Sequence, residues 1–115
     1  MVGSPATTVT VIDTGCELTH PDLAANMLPG RDVVDGDDDP SPHPTEQGAE
    51  HGTACSGIIA AVGNNGVGIS GTCPTCTLRC VRFLTDHATP LSADVEAFSF
   101  AIDHGEGEQI GRAHV

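Results

Sequence analysis

The run Thr7-Thr-Val-Thr-Val-Ile-Asp13 places six β-branched residues in succession before a carboxylate. Such side chains are stiff at χ1 and pack well on a pleated surface, so the run reads as a central strand. The chain has three Phe and neither Trp nor Tyr, so its core must be built from Val, Ile, Leu and Ala. That composition suits an α/β fold, a parallel sheet flanked by helices. A length of 115 residues allows one domain at most. The strand stops at Asp13-Thr14-Gly15. In open α/β sheets the functional crevice lies beyond the carboxyl ends of the strands, where a carboxylate is well placed for chemistry. By itself, however, Asp-Thr-Gly is equally an ordinary turn.

A second stretch, His51-Gly-Thr-Ala-Cys-Ser-Gly-Ile-Ile-Ala-Ala61, reads as a tightly packed helix with a titratable ring at its head. The first backbone N–H groups of a helix are unpaired and carry partial positive charge. That field disfavours an imidazolium, so His51 is expected to be neutral and ready to accept a proton. Thr77 to Leu84 reads as another buried strand. Ser92 is expected to cap a helix running to Asp103, with Val95, Phe98, Ala101 and Ile102 as its core face. The order strand, helix, strand, helix is that of an α/β domain.

The connecting segments are polar. In Leu18-Thr-His-Pro-Asp-Leu23, Pro21 is expected in a first helical turn capped by Thr19, with Asp22 in that turn. Residues 29–50 read as one long loop. Asp32, Asp35, Asp37, Asp38 and Asp39 crowd together there, followed by Pro40, Pro42 and Pro44. The spacing of Asp35, Asp37, Asp39 and Glu46 mimics an EF-hand, but Pro40 stands where that loop needs glycine, so the motif is rejected. A solvated acidic loop is the preferred reading of 32–39, with a hard cation on part of it as the alternative. Gly63, Gly66, Gly68 and Gly71 permit a curled loop whose carbonyls suit Ca²⁺, or an ordinary turn.

Sixteen acidic residues against four basic ones give a net charge of −12, which excludes nucleic acid as a partner. No apolar run reaches the length of a membrane span, and Met1-Val-Gly-Ser-Pro5 has no signal-peptide character. Five cysteines leave at least one unpaired within the chain. Cys73-Pro-Thr-Cys76 lacks the second ligand pair that a zinc site needs. A short-loop disulfide or a long-range bridge is expected instead.

Val11-Ile-Asp-Thr-Gly15 resembles the aspartate motif of the subtilisin-like serine proteases, and His51-Gly-Thr-Ala-Cys-Ser-Gly57 resembles their histidine motif. The stretch from Leu18 to Leu23, and the glycine-rich loop from Val62 to Gly71, are similar to other segments of that family. The acidic, proline-rich stretch before His51 resembles the kexin-like branch, although Thr14 stands where kexins carry a second Asp. The resemblance covers about residues 7 to 104. It implies a subtilisin-like fold, here incomplete, and a secreted, monomeric endopeptidase acting on protein or peptide substrates. Asp13 would fix the tautomer of His51, and His51 would relay the proton of a nucleophilic serine. The resemblance further implies structural Ca²⁺ held by Asp22, the Asn65 side chain and the carbonyls of Val62, Val67 and Ile69. It leaves Cys55 unpaired and Cys16, Cys73, Cys76 and Cys80 for bridges.

The family's Gly-Thr-Ser-Met-Ala-like serine segment has no counterpart in these residues, and Ser56 lies outside any nucleophile elbow. Residues 1–105 are therefore expected to be part of a catalytic domain and inactive alone. A non-catalytic, calcium-binding protein of the same fold is the alternative. Residues 106–115 are polar and patternless. Ile110-Gly-Arg-Ala-His-Val115 back-translates to a common sequencing-library adapter, so this stretch is expected to be a non-native tail.

Overall fold

The computed structural model describes residues 7–63, 71–85 and 91–103, together with the backbone of 109–112. Its centre is a parallel sheet of four strands: β1 (Thr8–Asp13), β2 (Met27–Asp32), β3 (Thr77–Arg82) and β4 (Gln109–Arg112), in the order β2-β3-β1-β4. Among the described residues two α-helices, α1 (His51–Ala60) and α2 (Leu91–Asp103), pack on it. The β-branched run is a central strand, as its sequence predicts. It pairs in register with β3 from Thr8↔Thr77 to Asp13↔Arg82.

Side chains alternate across a strand, so β1 feeds two separate cores. Val9 and Val11 pack with Leu23, Leu78, Ala60 and Ala61 beneath α1. Ile12 packs with Val81, Phe83, Ala93, Ala97 and Ala101 beneath α2. This period of two also puts Asp13 on the α1 face, where the site forms.

Four local expectations need correction. First, part of the expected loop at 29–50 is strand β2, which the sequence hides behind Pro29 and Gly30. Proline is tolerated because β2 lies at a sheet edge. The pairing with β3 shifts register between Leu28 and Arg31, and the Arg79 guanidinium donates to the Pro29 carbonyl at 2.8 Å. Gly30 is required here, because a Cβ would run into the Cys80 carbonyl oxygen. Second, no helix starts at Pro21. Residues 21–23 are turn, followed by a short 3-10 helix at Ala24–Asn26, and the Asp22 amide donates to His20 Nδ1 at 3.1 Å.

Third, the buried stripe of α2 is Ala93, Ala97 and Ala101, whereas Val95 and Ile102 are 60% and 69% exposed. Small residues let the helix axis lie close to Phe83 and Ile12, and this turns the larger side chains outward. Phe98 is half-buried against the same core. Fourth, residues 109–112, where no strand is expected, run parallel to β1 with Val9↔Gln109 to Ile12↔Arg112 as partners. A parallel ladder needs only backbone N–H and C=O groups, so a polar sequence suffices.

The acidic segment is organised rather than uniformly solvated. Asp32 is buried and pairs with buried Arg82 at 2.9 Å; Arg82 also reaches Glu46 at 2.9 Å and Asp35 at 3.4 Å. Burial opposes the charge on Arg82, but Asp32 and Glu46 more than offset it and raise its pKa. Exposed Asp38 pairs with Arg31, and Asp39 is held low by hydrogen bonds from Ser41. Arginines and local donors thus answer much of the repulsion that the sequence leaves to solvent or, alternatively, to a cation.

Candidate active site

Two glycines determine how closely the two motifs approach. Gly15 ends β1 with φ of 100°, a conformation other residues resist, and a Cβ there would run into the Pro40 carbonyl oxygen. A Cβ on Gly52 would collide with the Gly15 carbonyl oxygen. The head of α1 therefore rests directly on the turn after β1. Thr14 joins them: its hydroxyl donates to the Ala49 carbonyl at 3.0 Å and accepts the Gly52 N–H at 2.8 Å. Glu50, the N-cap residue of α1, gives no side-chain cap. A hydroxyl from another element thus satisfies one of the first-turn donors.

On this support His51 Nδ1 donates to Asp13 Oδ1 at 2.9 Å and Oδ2 at 3.0 Å. A carboxylate only accepts, so the shared proton belongs to Nδ1 and Nε2 remains free to take another. Asp13 is fully buried and also accepts the Thr14 amide at 2.6 Å, while the His51 side chain is 31% exposed. The Asp13 backbone carbonyl accepts from the amides of Phe83 and Leu84, which ties the turn to β3. One turn along α1, the Cys55 thiol lies 3.7 Å from Nδ1. Burial, then the nearby Asp13 charge, pushes that thiol's pKa up.

Beneath α1 lies a disulfide between Cys16 and Cys80, with Ser56 Oγ 3.1 Å from Cys16 Sγ. Ser56 is fully buried there, which removes it as a nucleophile. A second disulfide joins Cys73 and Cys76, so both kinds of bridge expected from the cysteine spacing are present, and Cys55 is free. Of the residues expected to hold calcium, Asp22 and Val62 are adjacent, since the Val62 amide donates to the Asp22 carbonyl at 2.7 Å. Asn65, Val67 and Ile69 lie outside the described residues. Sequence reasoning missed the roles of Thr14 and Arg82. Their partners are 35 or more residues away along the chain, beyond any local pattern.

We expect Gly52→Ala to push α1 off the Gly15 turn and to lengthen the Asp13–His51 hydrogen bond. Overpacking of this kind costs about 1–3 kcal/mol. Loss of the downfield imidazole N–H resonance in proton NMR would report the break, whereas an unshifted resonance would refute this account of the glycine.

The site is thus a buried carboxylate that holds an imidazole in one tautomer at the carboxyl edge of a parallel sheet. The chain belongs to the subtilase family, whose sequence model matches residues 4–109. It is 39% identical to thermitase of Thermoactinomyces vulgaris over 98 residues, covering 84% of this chain and 33% of thermitase. It is 45% identical to the Aeromonas extracellular serine protease of Aeromonas sobria over 87 residues, covering 75% of this chain and 14% of that protein. The crystal structure of a serine protease of Aeromonas sobria superposes with a TM-score of 0.71 at 39% identity, over 84% of this chain and 16% of the other. The chain thus spans a third or less of the length of these relatives.

Proposed function

We propose that this chain supplies the Asp–His half of a secreted serine endopeptidase that hydrolyses peptide bonds in protein substrates. The observation that carries this reading is the buried Asp13 carboxylate bonded to Nδ1 of partly exposed His51. Asp13 holds the imidazole in the tautomer whose Nε2 accepts the proton of a serine hydroxyl. His51 then returns that proton to the leaving amine, and Asp13 stabilises the intervening imidazolium. The 115 residues hold no serine in a Gly-Thr-Ser-Met-Ala-like setting, so the chain alone has no triad.

Structural calcium fits this reading. Asp22 and Val62 would contribute to its cage with Asn65, Val67 and Ile69, and bound Ca²⁺ would hold the loop after α1 in place. The alternative of a non-catalytic calcium-binding protein gains no support from the named relatives, which include serine proteases. Secretion is supported by the extracellular Aeromonas relative, and none of the described helices is long and apolar enough to cross a membrane. We further propose that residues 106–115 derive from a sequencing adapter; codons that differ from the adapter in the nucleotide record would exclude this.

The test is a chimera in which residues 7–103 replace the matching segment of the Aeromonas sobria protease. The chimera is expected to hydrolyse casein, while the 115-residue chain alone does not. His51→Ala should lower the chimera's turnover about a millionfold and Asp13→Ala about ten-thousandfold, the scale of the corresponding losses in subtilisin. A chimera indifferent to His51→Ala would refute the reading.

A further inference from the structure

The Cys16–Cys80 disulfide lies where the parts of the site meet. Cys16 follows Gly15, the residue on which Gly52 rests. Its amide donates to the Pro40 carbonyl at 3.0 Å, which ties the same turn to the segment before α1. Cys80 is on β3, where it is the register partner of Val11, two residues before Asp13. Helix α1 sits on both sulfurs: Ser56 Oγ is 3.1 Å from Cys16 Sγ and 3.8 Å from Cys80 Sγ. A bridged sulfur carries no proton, so the serine hydroxyl is the donor here. Ser56 follows Gly52 by four residues and shares its side of the helix. One covalent link thus touches the turn that presents Asp13, the strand beside it and the helix that presents His51.

Both cysteines are fully buried. A dithiol does not reach them in the folded chain, so the bridge has to close while the chain folds. Without the bridge, two thiols occupy the same place. Their sulfurs are no longer bonded and must stand further apart, and each carries a proton. The space around them is already taken. Cys16 Sγ is 4.0 Å from the Gly52 carbonyl oxygen, and Cys80 Sγ is 3.8 Å from Met27 Sδ. Protein interiors are close packed, so the extra room comes from the seat of α1 or from the turn before Cys16. Either displacement opens the Gly15–Gly52 contact that supports the Asp13–His51 hydrogen bond. That contact has no slack, since even a Cβ on Gly52 would collide with the Gly15 carbonyl oxygen.

We propose that closure of the Cys16–Cys80 bridge gates assembly of the Asp13–His51 pair, so that the pair forms only where a disulfide donor is present. The closing step is thiol–disulfide exchange with a small-molecule or protein disulfide. The Cys16 thiolate attacks one sulfur of the donor, and the other donor sulfur leaves as a thiolate. The Cys80 thiolate then attacks Cys16 Sγ and expels the first donor sulfur. Cys16 and Cys80 together lose two electrons and two protons, and the donor disulfide takes them up to become two thiols. In a reducing compartment the exchange runs the other way in the unfolded chain, and the pair does not assemble. The purpose of such a gate rests on the endopeptidase reading, since a protease so built stays inert until it is exported. The gate itself is read from the hydrogen bond and not from hydrolysis.

The experiment uses the full chain with Cys73→Ser and Cys76→Ser, which leaves Cys16–Cys80 as its one bridge. The chain is unfolded in guanidinium with dithiothreitol and refolded by dilution, one arm with dithiothreitol and the other with oxidised glutathione. Thiol titration checks the arms: Cys16 and Cys80 react in the first and not in the second. Proton NMR then reads the downfield Nδ1–H resonance, which His51→Gln assigns by its loss. The resonance is expected in the oxidised arm and absent in the reduced arm, and oxidised glutathione added to the reduced chain should restore it. Ala97→Gly weakens α2, on the opposite face of the sheet, and its oxidised form should keep the resonance. Loss of the resonance there would make general stability its cause and overturn the gate. A resonance present in both arms overturns the gate alone. A resonance absent from the oxidised arm overturns the gate and the endopeptidase reading together.

Discussion

Replacing Arg82 with leucine is expected to unfold the carboxyl end of the sheet. Arg82 is 1% exposed and faces Asp32, Asp35 and Glu46 at 2.9–3.4 Å. Asp32 is itself 2% exposed and is the register partner of Arg82 across the β2–β3 ladder. Removing one member of a buried ion cluster leaves the others charged and desolvated, which costs about 3–5 kcal/mol. A whole domain has only about 5–15 kcal/mol in hand. The Arg82→Leu chain should therefore lose the wide amide dispersion of its NMR spectrum and unfold at lower denaturant than the parent. Arg82→Lys, which keeps the charge but loses the planar fork, should fall between them. Equal denaturation midpoints for Arg82→Leu and the parent would show that the cluster contributes nothing net. Because Asp13 is also a register partner of Arg82, on the opposite side, the damage should spread to the site.

Removing the Cys16–Cys80 disulfide should have an effect of similar size. The bridge closes a loop with a sequence separation of 64 residues. On the chain-entropy account, opening a loop of that length costs about 4 kcal/mol. Cys16 follows Asp13 by three residues and Cys80 lies on β3, so the bridge fastens the turn after β1 to the neighbouring strand. A chain with both Cys16→Ser and Cys80→Ser is expected to melt well below the parent by circular dichroism. A Cys73→Ser, Cys76→Ser chain should lose much less, since that bridge closes a loop with a separation of only three residues. If the two double variants melt alike, the long bridge is not a major source of stability.

What could be read from the sequence was local. Six consecutive β-branched residues specify β1 wherever they lie, and the parity of the strand sends Asp13 to the same face as Val9 and Val11. The His51 helix and β3 are equally visible in their own residues. What could not be read depends on neighbours. Pro29 and Gly30 argue against a strand until it is known that β2 sits at an edge and that Gly30 touches the Cys80 carbonyl. Val95 and Ile102 have the right spacing for a core, yet the alanines of α2 win because the sheet beneath already carries Phe83. Asp32 looks like one more solvated acid until Arg82, fifty residues later, is placed beside it. The site divides in the same way. Asp13 and His51 are legible as motifs, whereas the Thr14 clamp and the convergence of Cys55 on the pair emerge only when strand and helix are brought together.

The proline at position 29 also bears on how this sheet is able to grow. It removes a backbone donor from the edge strand, and the register slip beside it spoils the straight run that an incoming segment would need. A newcomer finds a poor template there. Edge-to-edge pairing of two copies through this flank is thereby discouraged.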